Sequence, residues 1–403
     1  MNLQSFASPA VWMDGEATGQ VARAAALPGC IRAAAMPDLH AGPGGLPIGV
    51  ALGFGDRIVP GLLGSDVGCG ARLVVTTARP PGLDLLERRL RAGALIEERP
   101  WDGDAEMIDA LLGAGLHGLA AVATVPPGLA RLLALAPPVG PIDGATLDGE
   151  MTAAHLAASL GTIGGGNHFG ELAVVDEILD PEIAAAHAIT RGKLAVLVHT
   201  GSRALGALVA ERFGHDVIPV AGAAPFLAAQ AWACRFAEAN RALLAGALLA
   251  AAGTDRPEKI AATVDCAHNA VSPLALRGET IWVHRKGAAP AAAGQLTLML
   301  GSRGAPSYLM LGLGREDALC SVPHGAGRRY HRADALAKMR AKHSRASLQR
   351  TSLGGRILCD RTELLYEEHP DVYKPIGPVL SSVVEAGLAR PVAALRPLVT
   401  VKL

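Results

Sequence analysis

The hexapeptide S-D-V-G-C-G at 65–70 is the feature that most constrains how the chain folds, because a strand-like run, 71–77, follows it at once. Asp66 and Cys69 stand three positions apart, so their side chains would point to opposite faces of a strand. A tight turn brings them to one point instead, and the two glycines supply the backbone freedom for it. The sequence therefore predicts a turn that presents a carboxylate and a thiolate together at the start of a strand.

The composition limits the kind of core and the kind of partner. Half of the 403 residues are apolar but only 3% are aromatic, so the core is expected to consist mainly of small aliphatic side chains. Lys and Arg total 37, as do Asp and Glu, which gives a formal net charge of zero. A nucleic-acid partner would therefore have to be held by a local basic patch rather than by the field of the whole protein.

Several features favour a protein of the cytoplasm without membrane contact. The N-terminal residues lack the charged and apolar segments of a secretion signal. The longest apolar stretch, 227–252, carries Arg235, Glu238 and Arg241, so we expect a helix of a soluble protein there. Six cysteines spread over the chain do not suggest a disulfide framework, which fits a reducing compartment. A monomer is the simplest expectation.

Hydrophobic periodicity predicts both helices and strands. Apolar residues recur at helical spacing in 105–121, and 226–252 is the clearest helix. The run 194–198 is typical of a buried strand that ends at His199, and 280–283 is a further strand-like run. The pattern indicates the α+β class.

Motifs whose side chains could bind ligands or react are spread from residue 36 to the C-terminus. They lie on both sides of a proline-rich stretch at 137–141, which is a candidate boundary between lobes. This spread favours one integrated domain, 1–403, whose loops meet at a single site. Besides the turn at 65–70, five segments combine glycines with polar side chains: G-G-G-N-H-F-G-E at 164–171, H-T-G-S-R at 199–203, D-C-A-H-N at 265–269, L-G-S-R-G-A-P-S-Y at 300–308 and H-G-A-G-R at 324–328.

A single histidine is more often a hydrogen-bonded core or surface residue than a ligand. The joint pattern of the segments reverses that expectation for His168, His199, His268 and His324. The first three of these form a candidate metal-ligand set together with Asp66 and Cys69 of the turn at 65–70. One carboxylate, one thiolate and three imidazoles suffice for two divalent ions if the thiolate bridges them, and two ions can clamp phosphate oxygens. The residue types alone leave the metal open, because zinc, iron and cobalt suit thiolate and imidazole at least as well as manganese.

The fourth histidine, His324, is followed by Arg328 and Arg332. This setting suits a neutral imidazole that attacks a phosphorus atom while guanidinium groups hold the phosphates. From the residues alone, the prediction is a metal-dependent enzyme of phosphoryl or nucleotidyl transfer.

In content and order these segments resemble the RtcB family of GTP-dependent RNA ligases, which join RNA 3'-phosphate or 2',3'-cyclic phosphate ends to 5'-hydroxyl ends. The resemblance begins with M-P-D-L-H at 36–40, includes H-R-K-G-A at 284–288 and extends to the closing stretch 395–402. It implies an RtcB-like domain with central β-sheets flanked by helices and an active site built from loops.

The resemblance also implies roles for individual residues. Cys69 would bridge two Mn²⁺ ions, with Asp66 and His168 completing one site and His199 and His268 the other. His324 would attack the α-phosphate of GTP and form a covalent histidine–GMP adduct. The positions matched to nucleotide contacts are Asn167, His168, Glu171, His268, Asn269, Leu300, Ser302, Arg303, Ser307, His324, Ala326, Gly327 and Lys402.

The implied reaction begins with the opening of a cyclic phosphate end to a 3'-phosphate. That phosphate then takes GMP from His324, and the 5'-hydroxyl attacks the resulting RNA(3')pp(5')G end and expels GMP. A carboxylate such as Glu171 would select GTP over ATP, because adenine lacks the same hydrogen-bond donors. Candidates for RNA phosphate contacts, which would make binding salt-sensitive, are Arg203, Lys286, Arg303, Arg328 and Arg332.

Departures from the family pattern suggest a branch and its partners. Proline stands at 375, where an aspartate is common in the family, and S-V-P precedes His324, where many members have a cysteine and a serine. At these positions the sequence resembles a bacterial branch of the family that is associated with a release-factor-like protein. That branch is associated with repair of cleaved RNA rather than with tRNA splicing. A release-factor-like protein or an accessory activator is therefore an expected partner.

Three alternatives stay open on the sequence. A two-metal phosphoesterase acting on RNA cyclic phosphate ends would need no guanylylated histidine and would survive mutation of His324. A non-catalytic clamp for RNA ends is disfavoured, because unpaired buried charge is costly to keep without metal. A structural zinc protein would usually draw its ligands from local pairs, whereas these are dispersed.

Overall fold

The computed structural model describes residues 2–93, 104–142 and 153–403. Its helices are α1 (Gly15–Ala25), α2 (Leu83–Ala92), α3 (Ala105–Val122), α4 (Pro127–Ala134), α5 (Ala153–Ser159), α6 (Pro181–Ala186), α7 (Ala204–Phe213), α8 (Ala224–Ala252), α9 (Arg332–Lys342), α10 (Thr362–Glu367) and α11 (Ile376–Glu385).

The strands are β1 (Leu3–Ser5), β2 (Cys30–Ala41), β3 (Pro47–Phe54), β4 (Arg57–Ile58), β5 (Gly70–Thr76), β6 (Phe169–Ile178), β7 (Leu194–Thr200), β8 (Ile218–Pro219), β9 (Ile260–Ala267), β10 (Asn269–Leu276), β11 (Glu279–Lys286), β12 (Ala288–Pro290), β13 (Leu296–Met299), β14 (Ser307–Gly312), β15 (Ser321–Pro323), β16 (Arg356–Leu358) and β17 (Ala389–Val401). The helices expected near 105–121 and 226–252 are α3 and α8, and the expected strands are parts of β5, β7 and β11.

Two sheets form the centre of the described structure. The larger has the order β13-β14-β17-β6-β7-β5-β9, with β16 beside β17, and the smaller has the order β1-β2-β3-β11-β10. In the larger sheet β6, β7, β5 and β9 are antiparallel neighbours. Central sheets with helices around them confirm the α+β class that the sequence indicated.

The larger sheet is buried on both faces, and its side chains alternate between two cores. Val74 and Val196 face a core that includes α3, α4 and α8, whereas Leu73 and Leu197 face a second core shared with the smaller sheet, for example with Met36. Alternation along a strand sends neighbouring side chains to opposite faces. This explains why 194–198 is apolar without interruption.

Helix α8 lies on one face of the larger sheet and is 29 residues long. Its sequence is rich in alanine and leucine, which have high helix propensity. Pro225 stands in its first turn, and the helix ends at Gly253, which has φ +70° and donates its backbone N–H to the carbonyl of Ala250. A largely buried helix of this length can contact several strands at once, and α8 contacts β5, β6 and β7.

Helix α3 is long and apolar enough to cross a membrane, judged by length and composition alone. Core helices of soluble proteins pass the same test, so the observation is weak evidence. The helix is interrupted at Ala114 and Gly115, where the backbone dihedral angles leave the helical region. In hydrocarbon such a break would leave backbone groups without hydrogen-bond partners.

Candidate active site

One end of the larger sheet collects the predicted metal ligands. Cys69 immediately precedes β5, His168 precedes β6, His199 is near the end of β7, and His268 lies between β9 and β10. Because β6, β7, β5 and β9 are antiparallel neighbours, these positions fall side by side: Phe169 pairs with His199, and Gly70 pairs with both Thr200 and Ala267.

The side chains of these residues converge. The Cys69 Sγ atom lies 3.4 Å from Nε2 of His168 and 3.4 Å from Nε2 of His199. The Asp66 Oδ2 atom lies 3.2 Å from Nε2 of His168, and the Nε2 atoms of His199 and His268 are 3.2 Å apart. Two groups result, Asp66–Cys69–His168 and Cys69–His199–His268, and the ligand atoms within each lie within 4.8 Å of one another. They share Cys69, which is the division that the family resemblance implied.

Glycines at two positions make this convergence sterically feasible. Gly68 has φ +82°, and a Cβ atom there would lie 3.0 Å from the carbonyl oxygen of Ala233 in α8. A Cβ atom at Gly201 would lie 2.2 Å from Oδ1 of Asp66. Side chains at these positions would push the turn at 65–70 away from α8 and from the end of β7.

Burial sets the protonation of the ligand atoms. It lowers the pKa values of His199 and His268 well below the ordinary range, and the charges of neighbouring histidines lower them further, so both rings are neutral near pH 7. Burial and the Asp66 carboxylate raise the pKa of the Cys69 thiol. For Asp66 the cost of burial is outweighed by the hydrogen bond and charge of His168, which lower its pKa. Neutral imidazoles and a carboxylate are ready ligands, and a divalent ion would displace the thiol proton.

His324 lies beside this group. Its ring centroid is 4.8 Å from that of His268 and 6.3 Å from that of His199. The main chain holds it firmly, because its N–H donates to the Gly287 carbonyl (3.3 Å) and its carbonyl accepts from the N–H of Leu300 (2.8 Å).

Asp38 orients the His324 ring, and it is the functional residue that the sequence reasoning missed. Its Oδ2 atom lies 2.8 Å from Nδ1 of His324, and its side chain is fully buried. A carboxylate only accepts, so in the neutral ring Nδ1 carries the proton and Nε2 keeps the lone pair. The available signal was a carboxylate in the buried and mostly apolar part of β2, which also contains His40.

A pocket opens beside His324 and is lined by many of the residues expected to contact a nucleotide: Asn167, Glu171, Leu300, Ser302, Arg303, His324, Ala326, Gly327 and Lys402. Phe169, Glu368, Tyr373 and Thr400 also line it, and the sequence reasoning did not assign them. Gly327 has φ +74°, and a Cβ atom there would lie 2.1 Å from the Asp38 carbonyl oxygen, so this wall needs glycine.

Other residues expected to contact a nucleotide lie outside this lining. His168 and His268 belong to the ligand cluster. The side-chain amide nitrogen of Asn269 donates to the carbonyls of Leu63 (3.1 Å) and Asp66 (2.5 Å). Asn269 lines an adjoining cavity. Ser307 is buried, and its hydroxyl accepts from the N–H of Gly301 (3.0 Å), so it supports the turn behind the pocket.

Two buried carboxylates face the pocket in different electrostatic settings. Burial raises the pKa of Glu171 to about 7, against the opposing effects of Lys402 and of the Thr400 hydroxyl, which donates to it at 2.6 Å. For Glu368 the cost of burial is outweighed by the charges of Lys402 and Arg328, so its pKa is lowered. Both can accept hydrogen bonds from a ligand edge that carries N–H donors.

The candidate cations lie in different settings. Arg303 is buried and donates to the Leu365 carbonyl (2.8 Å), and Arg328 pairs with Glu368 (2.9 Å). Lys286 donates to the Leu63 carbonyl at 2.8 Å, and burial lowers its pKa to about 8. Arg203 and Arg332 line a shallow cleft together with Asp66, Asn167 and His168. A polyanion approaching the ligand cluster would meet this cleft.

A third group of ligand-type residues, His343, His369 and Asp371, lies outside this site. The two rings stack with centroids 3.9 Å apart, and His343 Nε2 lies 3.0 Å from Oδ2 of Asp371. Nδ1 of His369 already accepts the backbone N–H of Asp371. This group is explained by an ion pair and a helix cap.

Comparison with known proteins identifies the family. A family model described as tRNA-splicing ligase RtcB matches residues 20–403. The chain is 34% identical over 410 residues to the Escherichia coli protein named RNA-splicing ligase RtcB2, across 99% of this chain and 95% of the relative. Over 443 residues it is 32% identical to RNA-splicing ligase RtcB of Mycobacterium tuberculosis, across 95% of this chain and 100% of the relative. Over 447 residues it is 29% identical to tRNA-splicing ligase RtcB of Archaeoglobus fulgidus, across 96% and 91% respectively. The chain therefore belongs to the RtcB family.

Proposed function

We propose that the chain is a GTP- and Mn²⁺-dependent RNA ligase that joins 3'-phosphate or 2',3'-cyclic phosphate ends to 5'-hydroxyl ends, in RNA repair or tRNA splicing. Membership of a family described as tRNA-splicing ligase supports the reaction class. One observation carries the mechanism: His324, with Nδ1 on the buried Asp38 carboxylate and Nε2 free, lies between the ligand cluster and the pocket.

The ligand cluster fits two divalent ions. Asp66 and His168 would hold one, His199 and His268 the other, and the Cys69 thiolate would bridge them. Two overlapping groups that share one sulfur support this assignment. Bound ions would neutralise charge on the transferring phosphates and lower the pKa of a bound water or hydroxyl.

His324 and Asp38 account for the transfer of the guanylyl group. Nε2 of His324 attacks the α-phosphorus of GTP, the bond to the leaving pyrophosphate breaks, and the ring becomes cationic. The Asp38 carboxylate accepts the Nδ1–H hydrogen bond and stabilises this cation. An oxygen of the RNA 3'-phosphate then attacks the guanylyl phosphorus, and His324 leaves as a neutral imidazole. In the last step the RNA 5'-hydroxyl attacks the 3'-phosphorus and loses its proton to water, while the bond to the guanylyl phosphate breaks and GMP departs.

The pocket carboxylates favour guanine. Guanine presents N–H donors at N1 and N2, which ionised Glu171 or Glu368 can accept, and adenine presents no such pair. A site built to satisfy these donors leaves its own buried acceptors unpaired with adenine, which costs binding energy. Arg203 and Arg332 would hold RNA phosphates, and their position in the cleft that Asp66 also lines supports this assignment.

The remaining assignments are proposals of the same kind. Residues 1–403 would form a single ligase domain that acts as a monomer, with a release-factor-like protein or an accessory activator as partner. We place the reaction in the cytoplasm, because Cys69 must stay reduced to bind metal, and the six cysteines are free thiols.

The test is labelling with GTP that carries radioactive phosphorus in the α-phosphate, with Mn²⁺, followed on a denaturing gel. Wild type is expected to retain label, and His324→Ala is expected to retain none. His343→Ala, which removes a histidine outside the site, is the matched control and should label like wild type. The same proteins are then assayed for joining 3'-phosphate to 5'-hydroxyl RNA.

The phosphoesterase alternative gives a different pattern. Under it, folded and metal-loaded wild type takes up no label, and His324→Ala still opens cyclic phosphate ends. That result, repeated with added cell extract to supply any activator, would overturn the ligase proposal.

A further inference from the structure

Two adjacent side chains of α8, Asn240 and Arg241, lie beneath the ligand cluster. Their exposed fractions are 0% and 1%. Neither lines the pocket beside His324, and neither acts in the reaction proposed above. Each nevertheless has several hydrogen bonds to segments that carry ligand-type side chains.

Arg241 joins three such segments. Its Nη1 atom donates to the carbonyl of Gly68 (3.2 Å), one residue before Cys69, and to the carbonyl of Thr200 (3.1 Å), one residue after His199. Its Nε and Nη2 atoms donate to both carboxylate oxygens of Asp265 (2.9 and 2.6 Å), in the strand that leads to His268.

Asn240 joins the loop before His168 to the end of β7. Its amide oxygen accepts the N–H of Thr162 (2.9 Å), and its amide nitrogen donates to the Thr162 carbonyl (2.8 Å). The same nitrogen lies 3.3 Å from Oγ1 of Thr200, and that hydroxyl donates to the Ile163 carbonyl at 2.7 Å. The loop that leads to His168 is therefore attached to the β7 end on which His199 lies.

The space for Arg241 is built into the sheet. A Cβ atom at Gly70 would lie 2.9 Å from Nη1 of Arg241 and 2.5 Å from the Cys266 carbonyl oxygen. Asp265 also accepts from Nε of Arg72 (2.9 Å), so its charge is shared by two guanidinium groups. A buried guanidinium is stable only when its donors are satisfied, which restricts the strand ends to positions that satisfy them.

We propose that Asn240 and Arg241 are positioning residues of the two-metal centre: together they fix the strand-end loops that carry Cys69, His168, His199 and His268. The inference rests on the proposed metal centre. Neither residue belongs to the two ligand groups or lines the pocket beside His324, so their effect would be on where the ligand atoms stand before metal binds.

The test uses metal binding rather than ligation. Metal-free protein is titrated with Co²⁺, a visible stand-in for Mn²⁺, and the thiolate-to-cobalt absorption and the number of ions bound are recorded. Arg241→Lys keeps the charge opposite Asp265 but loses the Nη1 group that donates to the carbonyls of Gly68 and Thr200. We expect Co²⁺ affinity to fall by about tenfold or more, the range typical for residues that orient metal ligands.

Arg72→Lys is the matched control, since it alters the same buried ion pair with Asp265, whereas Arg72 makes no bond to the carbonyls of Gly68 and Thr200. It should bind Co²⁺ like wild type. Should Arg241→Lys fail to fold, as judged by circular dichroism, Asn240→Ser takes its place, because it leaves the ion pairs intact. If the variant that folds binds Co²⁺ with wild-type affinity, the inference is overturned, but the proposed metal centre is not. Absence of thiolate-to-cobalt absorption in wild type overturns the metal centre and the inference with it.

Discussion

Replacement of the Asp38 carboxylate behind His324 should slow the guanylylation of His324 but leave the final sealing of RNA(3')pp(5')G ends nearly unchanged. In Asp38→Asn an amide of nearly the same shape faces Nδ1 of His324. Its NH₂ group can donate to Nδ1, which would leave the proton on Nε2 and remove the lone pair that attacks phosphorus. The Asp38 side chain is fully buried and lies 2.8 Å from Nδ1, so the substituted amide would face the same ring nitrogen.

The magnitude follows from two contributions. A hydrogen bond to a charged group is worth ~1.5–3 kcal/mol, and one tenfold change in rate corresponds to ~1.4 kcal/mol, so its loss alone slows guanylylation about 10–150-fold. Stabilising the wrong imidazole tautomer can raise the loss to about 10⁴-fold, as in other histidine–aspartate pairs.

The assay is single-turnover labelling with GTP carrying radioactive α-phosphorus, compared with sealing of RNA that already ends in RNA(3')pp(5')G. Labelling should fall by at least about tenfold, whereas sealing, which does not use the His324 lone pair, should remain near the wild-type rate. Asp371→Asn, which alters the carboxylate beside His343, serves as control. The reasoning is refuted if Asp38→Asn labels at the wild-type rate, or if folded, metal-loaded Asp38→Asn loses both steps equally.

Two further predictions concern the pocket and the ligand cluster. The pKa of Glu171 is raised to about 7, mainly by burial, so its ionised, hydrogen-bond-accepting form grows as pH rises through that value. GTP affinity measured by calorimetry should therefore increase between about pH 6 and pH 8 in wild type. In Glu171→Gln the affinity should be weaker and should change less with pH. Identical pH profiles of the two proteins would contradict this role. Gly201→Ala places a Cβ atom 2.2 Å from Oδ1 of Asp66 and should weaken Co²⁺ binding by about tenfold or more, whereas Gly222→Ala, with nothing within 4 Å, should not. Equal affinity in the two variants would show that the turn at 65–70 tolerates the displacement.

The ligand-type residues could be named from the sequence because each stands in a short segment with its own signal. Cys69 follows a glycine, and His168 comes two positions after a run of three glycines. Both directly precede strands, and His199 is near the end of an apolar run. Such signals are local, and antiparallel pairing then brings the strand ends together. The α+β class followed from the same periodicities.

Asp38 stands in the M-P-D-L-H segment at 36–40, but nothing in that segment points to a role beside His324. It lies inside β2, and its role depends on His324, which is 286 positions away along the chain. A carboxylate in a buried strand predicts a partner but does not identify it, because several histidines and cations are available. Only the packing of β2 against the loop after β15 selects one.

The charges of α8 show how a correct inference from sequence can stop short of the function. Arg235, Glu238 and Arg241 exclude a membrane span because charged side chains are costly in hydrocarbon. The same desolvation cost applies inside the protein, where Arg241 is 1% exposed. Specific hydrogen-bond and ion-pair partners must offset that cost. Arg235 reaches the Leu112 carbonyl within α3, whereas Arg241 reaches the strand ends that carry Cys69 and His199. Helical spacing places these two arginines on different sides of α8, and the contacts that each side makes depend on which element packs there. A buried arginine in an apolar helix is therefore a reason to look for a site beneath it, even when the helix itself carries no motif.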